Sequence, residues 1–119
     1  MEKLSNTISV DIMPGEYDPS NLMLPQQPLN NSMFTESKKN YNKSFFTATN
    51  PYRFHLNSTE FLGTSGQFIN DIKKTTSLTD TIDIMKLLMS GGHLAPTCPD
   101  TLACYPYYKQ DPFVLKYRK

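Results

Sequence analysis

The pattern of apolar and polar residues changes its period several times along the chain, and the changes predict mixed strands and helices. A short apolar run from Ile8 to Met13 predicts a strand, and the largely polar residues from Met1 to Asn6 predict the end of a helix before it. Between Tyr52 and Leu56, apolar residues alternate with Arg53 and His55. With a turn at 57–59 and a return through Phe61 and Leu62, the stretch from Phe45 to Gly63 is predicted to contain a β-hairpin.

Two helices are predicted in the second half of the chain. The first begins near Phe68, with Ser65 as its N-cap residue and with Gly63 and Gly66 relaxing the turn from strand to helix. The second spans Ser77 to Ser90, with Ser77 and Asp80 as a capping box and Gly91-Gly92 as its end. Its predicted buried stripe consists of Leu78, Ile82, Met85, Leu88 and Met89.

Irregular backbone is predicted between these elements. Pro19, Pro25 and Pro28 exclude a continuous helix or a central strand, so residues 21–29 should run extended, with Leu22, Leu24 and Leu29 packed on the core. Residues 35–44 are polar and lack periodicity, which predicts a surface loop.

Composition is consistent with one small domain of lean core. Val, Ile, Leu and Phe account for 27 of 119 residues, just above the level of about 20% below which disorder becomes the default interpretation. The net charge is +1, and basic residues cluster only at Lys116, Arg118 and Lys119. A surface that held DNA by itself would concentrate positive charge, so we expect any action on DNA to pass through a partner.

Neither export nor membrane insertion is indicated by the pattern. The chain lacks a signal-peptide pattern and any apolar run approaching about 18 residues. It is therefore expected to be soluble, and cytosolic or nuclear. Cys98 and Cys104 lack the further ligands of a zinc site, and we expect a reduced pair rather than a disulfide.

The loop after the first strand has the placement of an active-site loop but not its chemistry. A dinuclear phosphoesterase needs a Gly-Asn-His-Asp type of loop, whereas this chain has Gly15, Glu16, Tyr17 and Asp18. Tyrosine, with a pKa near 10, is neither a good metal ligand nor a proton carrier at neutral pH. A late Gly-His-x-His loop would supply further metal ligands, and here His93 stands alone. We expect no catalytic residue, no bound metal and no cofactor.

Five ordered motifs resemble the small (B) subunits of eukaryotic replicative DNA polymerases, within that family most closely the delta type. The motifs lie at 13–29, 49–52, 61–67, 93–97 and 99–113, and the delta type is indicated by Leu-Pro-Gln-Gln-Pro-Leu at 24–29 and Pro-Asp-Thr-Leu-Ala-Cys-Tyr-Pro at 99–106. The signature positions expected to be structural are Pro14, Gly15, Pro19, Leu24, Pro25, Gln26, Gln27, Pro28, Gly63, Gly66, Pro96, Pro99, Asp100, Tyr105 and Pro106.

The resemblance implies an α/β fold, namely part of a calcineurin-like phosphoesterase sandwich in which two mixed sheets are flanked by helices. Residues 1–119 would be the C-terminal part of this inactive domain, and the N-terminal barrel and first half of the domain would be absent, as in a fragment or incomplete gene. Glu16, Tyr17, Asp18 and His93 would occupy degenerate active-site positions.

By the same resemblance, the chain would scaffold the catalytic subunit in nuclear DNA replication. Its partners would be the C-terminal region of the polymerase catalytic subunit and other accessory subunits, with DNA contacted only through the complex. Three alternatives stay open: the equivalent small subunit of polymerase alpha or epsilon, an active metal-dependent phosphoesterase or nuclease, and a fragment that no longer folds.

Overall fold

Short strands and helices give the chain a small α/β fold, and its computed structural model describes residues 2–40 and 44–116. The backbone divides into two units, Met1–Ser65 and Gly66–Lys119. The elements of the first unit are α1 (Glu2–Ser5), β1 (Val10–Ile12), a 3-10 helix (Asn31–Phe34), α2 (Thr35–Asn40), β2 (Phe45–Thr47), β3 (Tyr52–Leu56) and β4 (Thr59–Gly63). Those of the second unit are α3 (Gln67–Thr75) and α4 (Thr81–Gly91).

A parallel pair of strands positions the start of the loop that follows β1. In this pair, β1 lies beside β2, with Val10 opposite Phe45 and Ile12 opposite Thr47. The predicted helix end and strand before the loop are thus confirmed, with the strand limited to Val10–Ile12. Phe45 is buried and its ring lies 5.1 Å from that of Phe34. After this strand pair the chain reaches the buried Pro14, where the loop begins.

An antiparallel hairpin forms the other sheet, and its prediction is confirmed. β3 pairs with β4 from Tyr52 opposite Gly63 to Leu56 opposite Thr59, so Asn57 and Ser58 form the turn. Asn57 adopts a left-handed φ of 55°, a conformation that Asn tolerates better than most residues. His55 is exposed on β3, as predicted, whereas β2 pairs with β1 and is not part of the hairpin.

The prediction of a loop over 35–44 is wrong for Thr35–Asn40, which is helical; residues 41–43 lie outside the described residues. The physical reason is the preceding 3-10 helix, which is capped by the Asn30 side chain accepting from the Ser32 N–H and runs directly into α2. Because starting a helix is the costly step, this preformed turn lets a polar segment without periodicity continue as one.

The N-cap residue of α3 is Gly66 and not Ser65. The helix is confirmed, but its N-cap residue is Gly66, which has a φ of 92° and no side-chain cap; Ser65 instead accepts a hydrogen bond from Asn50. A side chain at Gly66 would meet nothing within 4 Å, yet the left-handed φ disfavours any residue with a Cβ. The prediction of Ser65 as N-cap is therefore wrong.

In α4 the N-terminal end and the buried face differ from those predicted. Asp80, not Ser77, is the N-cap residue, and its carboxylate accepts from the N–H groups of Ile82 and Asp83. The predicted end is confirmed, because Gly92 adopts a φ of 67° and its N–H bonds to the carbonyls of Leu88 and Met89.

A buried cluster of the second unit consists of Ile72, Ile84 and Leu88, with Ile69 and Leu78 packed against it. The predicted stripe is therefore wrong for Ile82, Met85 and Met89, which are about half exposed. In the first unit, Leu24 and Leu29 are buried as expected, but Leu22 is 78% exposed, so it does not pack on the core. Among the described residues, none of the helices combines the length and apolarity needed to cross a membrane.

Candidate functional site

The loop after β1 is a turn closed by its own carboxylate. Asp18 Oδ2 accepts the Gly15 N–H at 2.7 Å, and the Asp18 N–H donates to the Gly15 carbonyl at 3.4 Å. Glu16 and Tyr17 form the tip of this turn and are exposed, Tyr17 to 94%. Asp18 therefore stabilises the turn. Glu16 and Tyr17, which stand where a dinuclear phosphoesterase has Asn and His, face solvent.

The segment after the turn is held by side chains that replace missing backbone donors. Proline has no N–H, so Pro19, Pro25 and Pro28 cannot contribute to a ladder. Asn21 compensates: its Nδ2 donates to the carbonyls of Met23 and Pro25, and its Oδ1 accepts the Gln27 N–H at 2.5 Å. The extended course predicted for residues 21–29 is thus produced by local side-chain capping.

Gln26 ties this segment to the loop. Its side chain is fully buried, and Nε2 donates to the carbonyls of Gly15 at 3.0 Å and Asn21 at 3.2 Å. Its backbone exchanges two hydrogen bonds with Asn50, at 2.7 and 3.1 Å. A signature position thus fixes the geometry of the loop.

Asn50 completes the same network. This residue is fully buried, and its Nδ2 donates at 2.7 Å both to Gln26 Oε1 and to Ser65 Oγ. The Ser65 N–H donates back to Asn50 Oδ1 at 3.3 Å. The segment between Gly63, at the end of β4, and Gly66 is thereby linked to the loop after β1. Sequence reasoning missed Asn50, although its position beside Pro51 in the motif at 49–52 was a usable signal.

His93 and Asp111 form a polar pair in the second unit. His93 Nε2 lies 2.8 Å from Asp111 Oδ2, and the Ala95 N–H donates to His93 Nδ1 at 3.1 Å. Because Nδ1 accepts a hydrogen bond, the hydrogen of the neutral ring must reside on Nε2, which donates to the carboxylate. The sequence predicts a structural, hydrogen-bonded role for His93, and these two hydrogen bonds are the ones that it makes. Asp111 was not singled out from the sequence.

A cavity of about 740 Å³ opens beside this pair. Four signature positions, Pro96, Pro99, Tyr105 and Pro106, line it together with His93. The remaining lining residues are Ala95, Cys98, Cys104, Tyr107, Asp111, Pro112 and Phe113. The structure thus brings together signature residues that the sequence could only place in two separate motifs.

The turn at 97–101 is tied to α3 by a hydrogen bond between side chains. Asp71 is buried on α3, and its Oδ2 accepts from Thr101 Oγ1 at 2.6 Å. Within the turn at 97–101, the Thr101 N–H donates to the Thr97 carbonyl, while Asp100 is exposed. Asp100 does not line the cavity.

Both cysteines have free thiols. Burial, followed by a hydrogen bond with Cys104, raises the pKa of Cys98 to about 12. The Cys98 thiol is therefore protonated at neutral pH and a poor nucleophile. In the described part of the chain, no three His, Cys, Asp or Glu side chains are placed to hold a metal ion.

We expect Asp111 to titrate below the ordinary range of an aspartate. Partial burial acts to raise its pKa, but hydrogen bonds from His93 and from the Phe113 N–H outweigh it and hold the pKa of Asp111 lowered. A lowered folded-state pKa stabilises the fold above the unfolded value, and this contribution is lost as pH falls through the folded pKa. Carboxyl ¹³C shifts recorded against pH measure the midpoint.

The matched variants for this titration are the two histidines. His93→Leu removes the donor and should raise the pKa of Asp111, whereas His55→Leu should leave it unchanged because His55 lies on β3. An Asp111 midpoint that is ordinary in the parent chain, or equally raised by both variants, would contradict the assignment.

Comparison with known proteins gives a consistent family. The family described as the B subunit of DNA polymerase alpha/epsilon matches residues 1–118. The chain is 46% identical to DNA polymerase delta subunit 2 of Drosophila melanogaster over 94% of its length, and 44% identical to the DNA polymerase delta small subunit of Arabidopsis thaliana over 98%. The chain is 40% identical to the DNA polymerase delta small subunit of Saccharomyces cerevisiae, and that alignment covers 92% of the chain.

These alignments cover 26%, 26% and 28% of the respective relatives, so the chain spans about a quarter of the length of the curated relatives that it matches. The family match spans residues 1–118, so it includes the loop after β1 and the residues that line the cavity. The chain belongs to the family of DNA polymerase alpha/epsilon B subunits.

Proposed function

We propose that this chain is part of the small, non-catalytic accessory subunit of a DNA polymerase delta, where it scaffolds the catalytic subunit during DNA replication. The delta assignment is supported by the names of the three relatives given above, which are 40–46% identical to the chain. Its partners are the C-terminal region of the catalytic subunit and other accessory subunits. It reaches DNA through that complex and acts in the nucleus.

One observation carries the non-catalytic role: the loop's remaining polar groups hydrogen-bond to the chain itself. Asp18 binds the Gly15 N–H, and Gln26 binds the Gly15 carbonyl. In a dinuclear phosphoesterase the corresponding groups must point at metal ions. Here they rigidify a turn whose tip, Glu16 and Tyr17, offers neither an amide oxygen ligand nor an imidazole.

We place the chain in the C-terminal part of a calcineurin-like phosphoesterase domain whose active site has degenerated. In this proposal Glu16, Tyr17, Asp18 and His93 occupy the former catalytic positions. The exposed aromatic side chains of the hairpin, such as Phe54 and Phe61, whose rings stack 5.3 Å apart, suit a surface that another protein covers.

Purification of the tagged full-length subunit from its own cells tests the assignment. We expect the catalytic subunit of polymerase delta to co-purify in stoichiometric amount. Recovery of the alpha or epsilon catalytic subunit instead would overturn the delta assignment, and that outcome has to be tested because the family description names alpha and epsilon.

A nuclease assay on the same full-length subunit tests the non-catalytic role. We expect no Mn²⁺-dependent cleavage of single-stranded DNA above a mock purification. Asp18→Asn is the informative variant, because an Asn side chain still offers an oxygen to the Gly15 N–H while it removes the charge. Cleavage that Asp18→Asn abolishes and that Glu36→Gln, at an exposed position on α2, retains would mean that the subunit is an enzyme.

A further inference from the structure

The cavity beside His93 has apolar walls and one charged group. Prolines 96, 99, 106 and 112 and the rings of Tyr105 and Tyr107 form half of its described lining. Its volume of about 740 Å³ falls within the range of about 300–1,000 Å³ that is usual for ligand sites. In a cavity with mostly apolar walls, the few polar groups determine which ligand binds, so their charge is the feature to consider.

That charge is negative. Asp111 is the one carboxylate among the described lining residues, and its side chain is 47% exposed. His93 contacts Asp111 Oδ2 through Nε2, and its Nδ1 accepts the Ala95 N–H, so the exposed part of the carboxylate stays open to a ligand. Lys109, two residues before Asp111, is exposed and does not line the cavity.

We propose that this cavity receives an arginine side chain presented by a segment of a partner protein. A guanidinium group stacks on aromatic rings and binds a carboxylate through a planar fork of donors, so one side chain satisfies both the tyrosines and Asp111. Nucleic acid does not fit, because its phosphates would meet Asp111 with no lysine or arginine among the described lining residues to neutralise them.

This inference is independent of the polymerase assignment, since it concerns the chemistry of the ligand and can be tested without another subunit. The probe is the peptide acetyl-Gly-Pro-Arg-Pro-Gly-amide, titrated into the ¹⁵N-labelled full chain and followed by NMR. The matched ligand carries citrulline, which keeps the shape of arginine but removes its charge. We expect shifts at the lining residues and binding about tenfold weaker for citrulline.

Two pairs of variants locate the site. Tyr107→Leu and Asp111→Asn should each weaken binding of the arginine peptide by about threefold to fivefold, the scale of a partly exposed charge or ring contact. Tyr108→Leu and Asp83→Asn should not, because Tyr108 is fully exposed outside the lining and Asp83 pairs with Lys86 on α4. Asn at 111 keeps an oxygen for the Phe113 N–H, so the local backbone should persist.

Several results would overturn the proposal. Equal affinity for the arginine and citrulline peptides would mean that the cavity takes apolar segments without regard to charge. Binding that Tyr108→Leu weakens as much as Tyr107→Leu would place the site elsewhere. Absence of shifts at the lining residues up to millimolar peptide, in a chain whose NMR spectrum is dispersed, would remove the arginine site altogether.

Discussion

Replacing Asn50 by alanine is expected to lower the free energy of unfolding of the first unit by about 3 kcal/mol. Asn50 is fully buried, and its side chain hydrogen-bonds to both Ser65 and Gln26. The truncation removes them together and takes the Nδ2 donor away from the buried Gln26 Oε1, and a lost partner at a buried polar atom costs about 1–3 kcal/mol. Urea unfolding followed by circular dichroism measures the difference.

Thr49→Ala is the matched control for this prediction. Thr49 adjoins Asn50 but is exposed, and its hydroxyl donates only to the Pro51 carbonyl two residues away. It should change stability by less than about 0.5 kcal/mol. If both variants unfolded at the same urea concentration, the network would not be the feature that holds the loop after β1.

Local chemistry made the hairpin predictable from the sequence. Tyr52, Phe54 and Leu56 alternate with polar residues, and Asn57 can take the left-handed conformation that a two-residue turn requires. Each of these signals depends on neighbours within a few residues. The Gly92 end of α4 was predictable for the same reason, because a glycine in the left-handed region is the usual helix stop.

The face of α4 was not predictable, because the helix is apolar nearly all round. Ile82, Met85 and Met89 form one stripe at helical spacing, and Ile84 and Leu88 form another. Both stripes satisfy the period, so only the packing partner, Ile72 on α3, decides between them. The N-cap was ambiguous in the same way, since Ser77 and Asp80 are both capping residues and the backbone selects Asp80.

The candidate sites were only partly predictable, because their residues meet across long sequence separations. The motifs identified Gln26, Pro99 and His93 as special, but a sequence does not reveal which side chains face each other. Asn50 reaches Gln26 across 24 residues, and Thr101 reaches Asp71 across 30. Such contacts depend on the tertiary fold, whereas Asp111 lies only 18 residues from His93 and still carries no local signal of that pairing.

The second large effect is expected at Ile84, whose replacement by alanine should destabilise the second unit by about 3 kcal/mol. Ile84 is 0% exposed and packs with Ile72 and Leu88, so the shorter side chain leaves a cavity that the surrounding residues fill only in part. Leu88→Ala should act in the same direction. Thermal and urea unfolding of the full chain, followed by helical circular dichroism, measure the loss.

Ile82→Ala is the matched control, since it makes the same chemical change two residues earlier on the same helix. Ile82 is 62% exposed, and alanine has the higher helix propensity, so stability should change by less than about 0.5 kcal/mol. Comparing Ile82→Ala with Ile84→Ala shows directly which apolar stripe of α4 is buried. A larger loss from Ile82→Ala than from Ile84→Ala would mean that the helix buries the face that its periodicity predicts, and the core of Ile72, Ile84 and Leu88 would then be wrong.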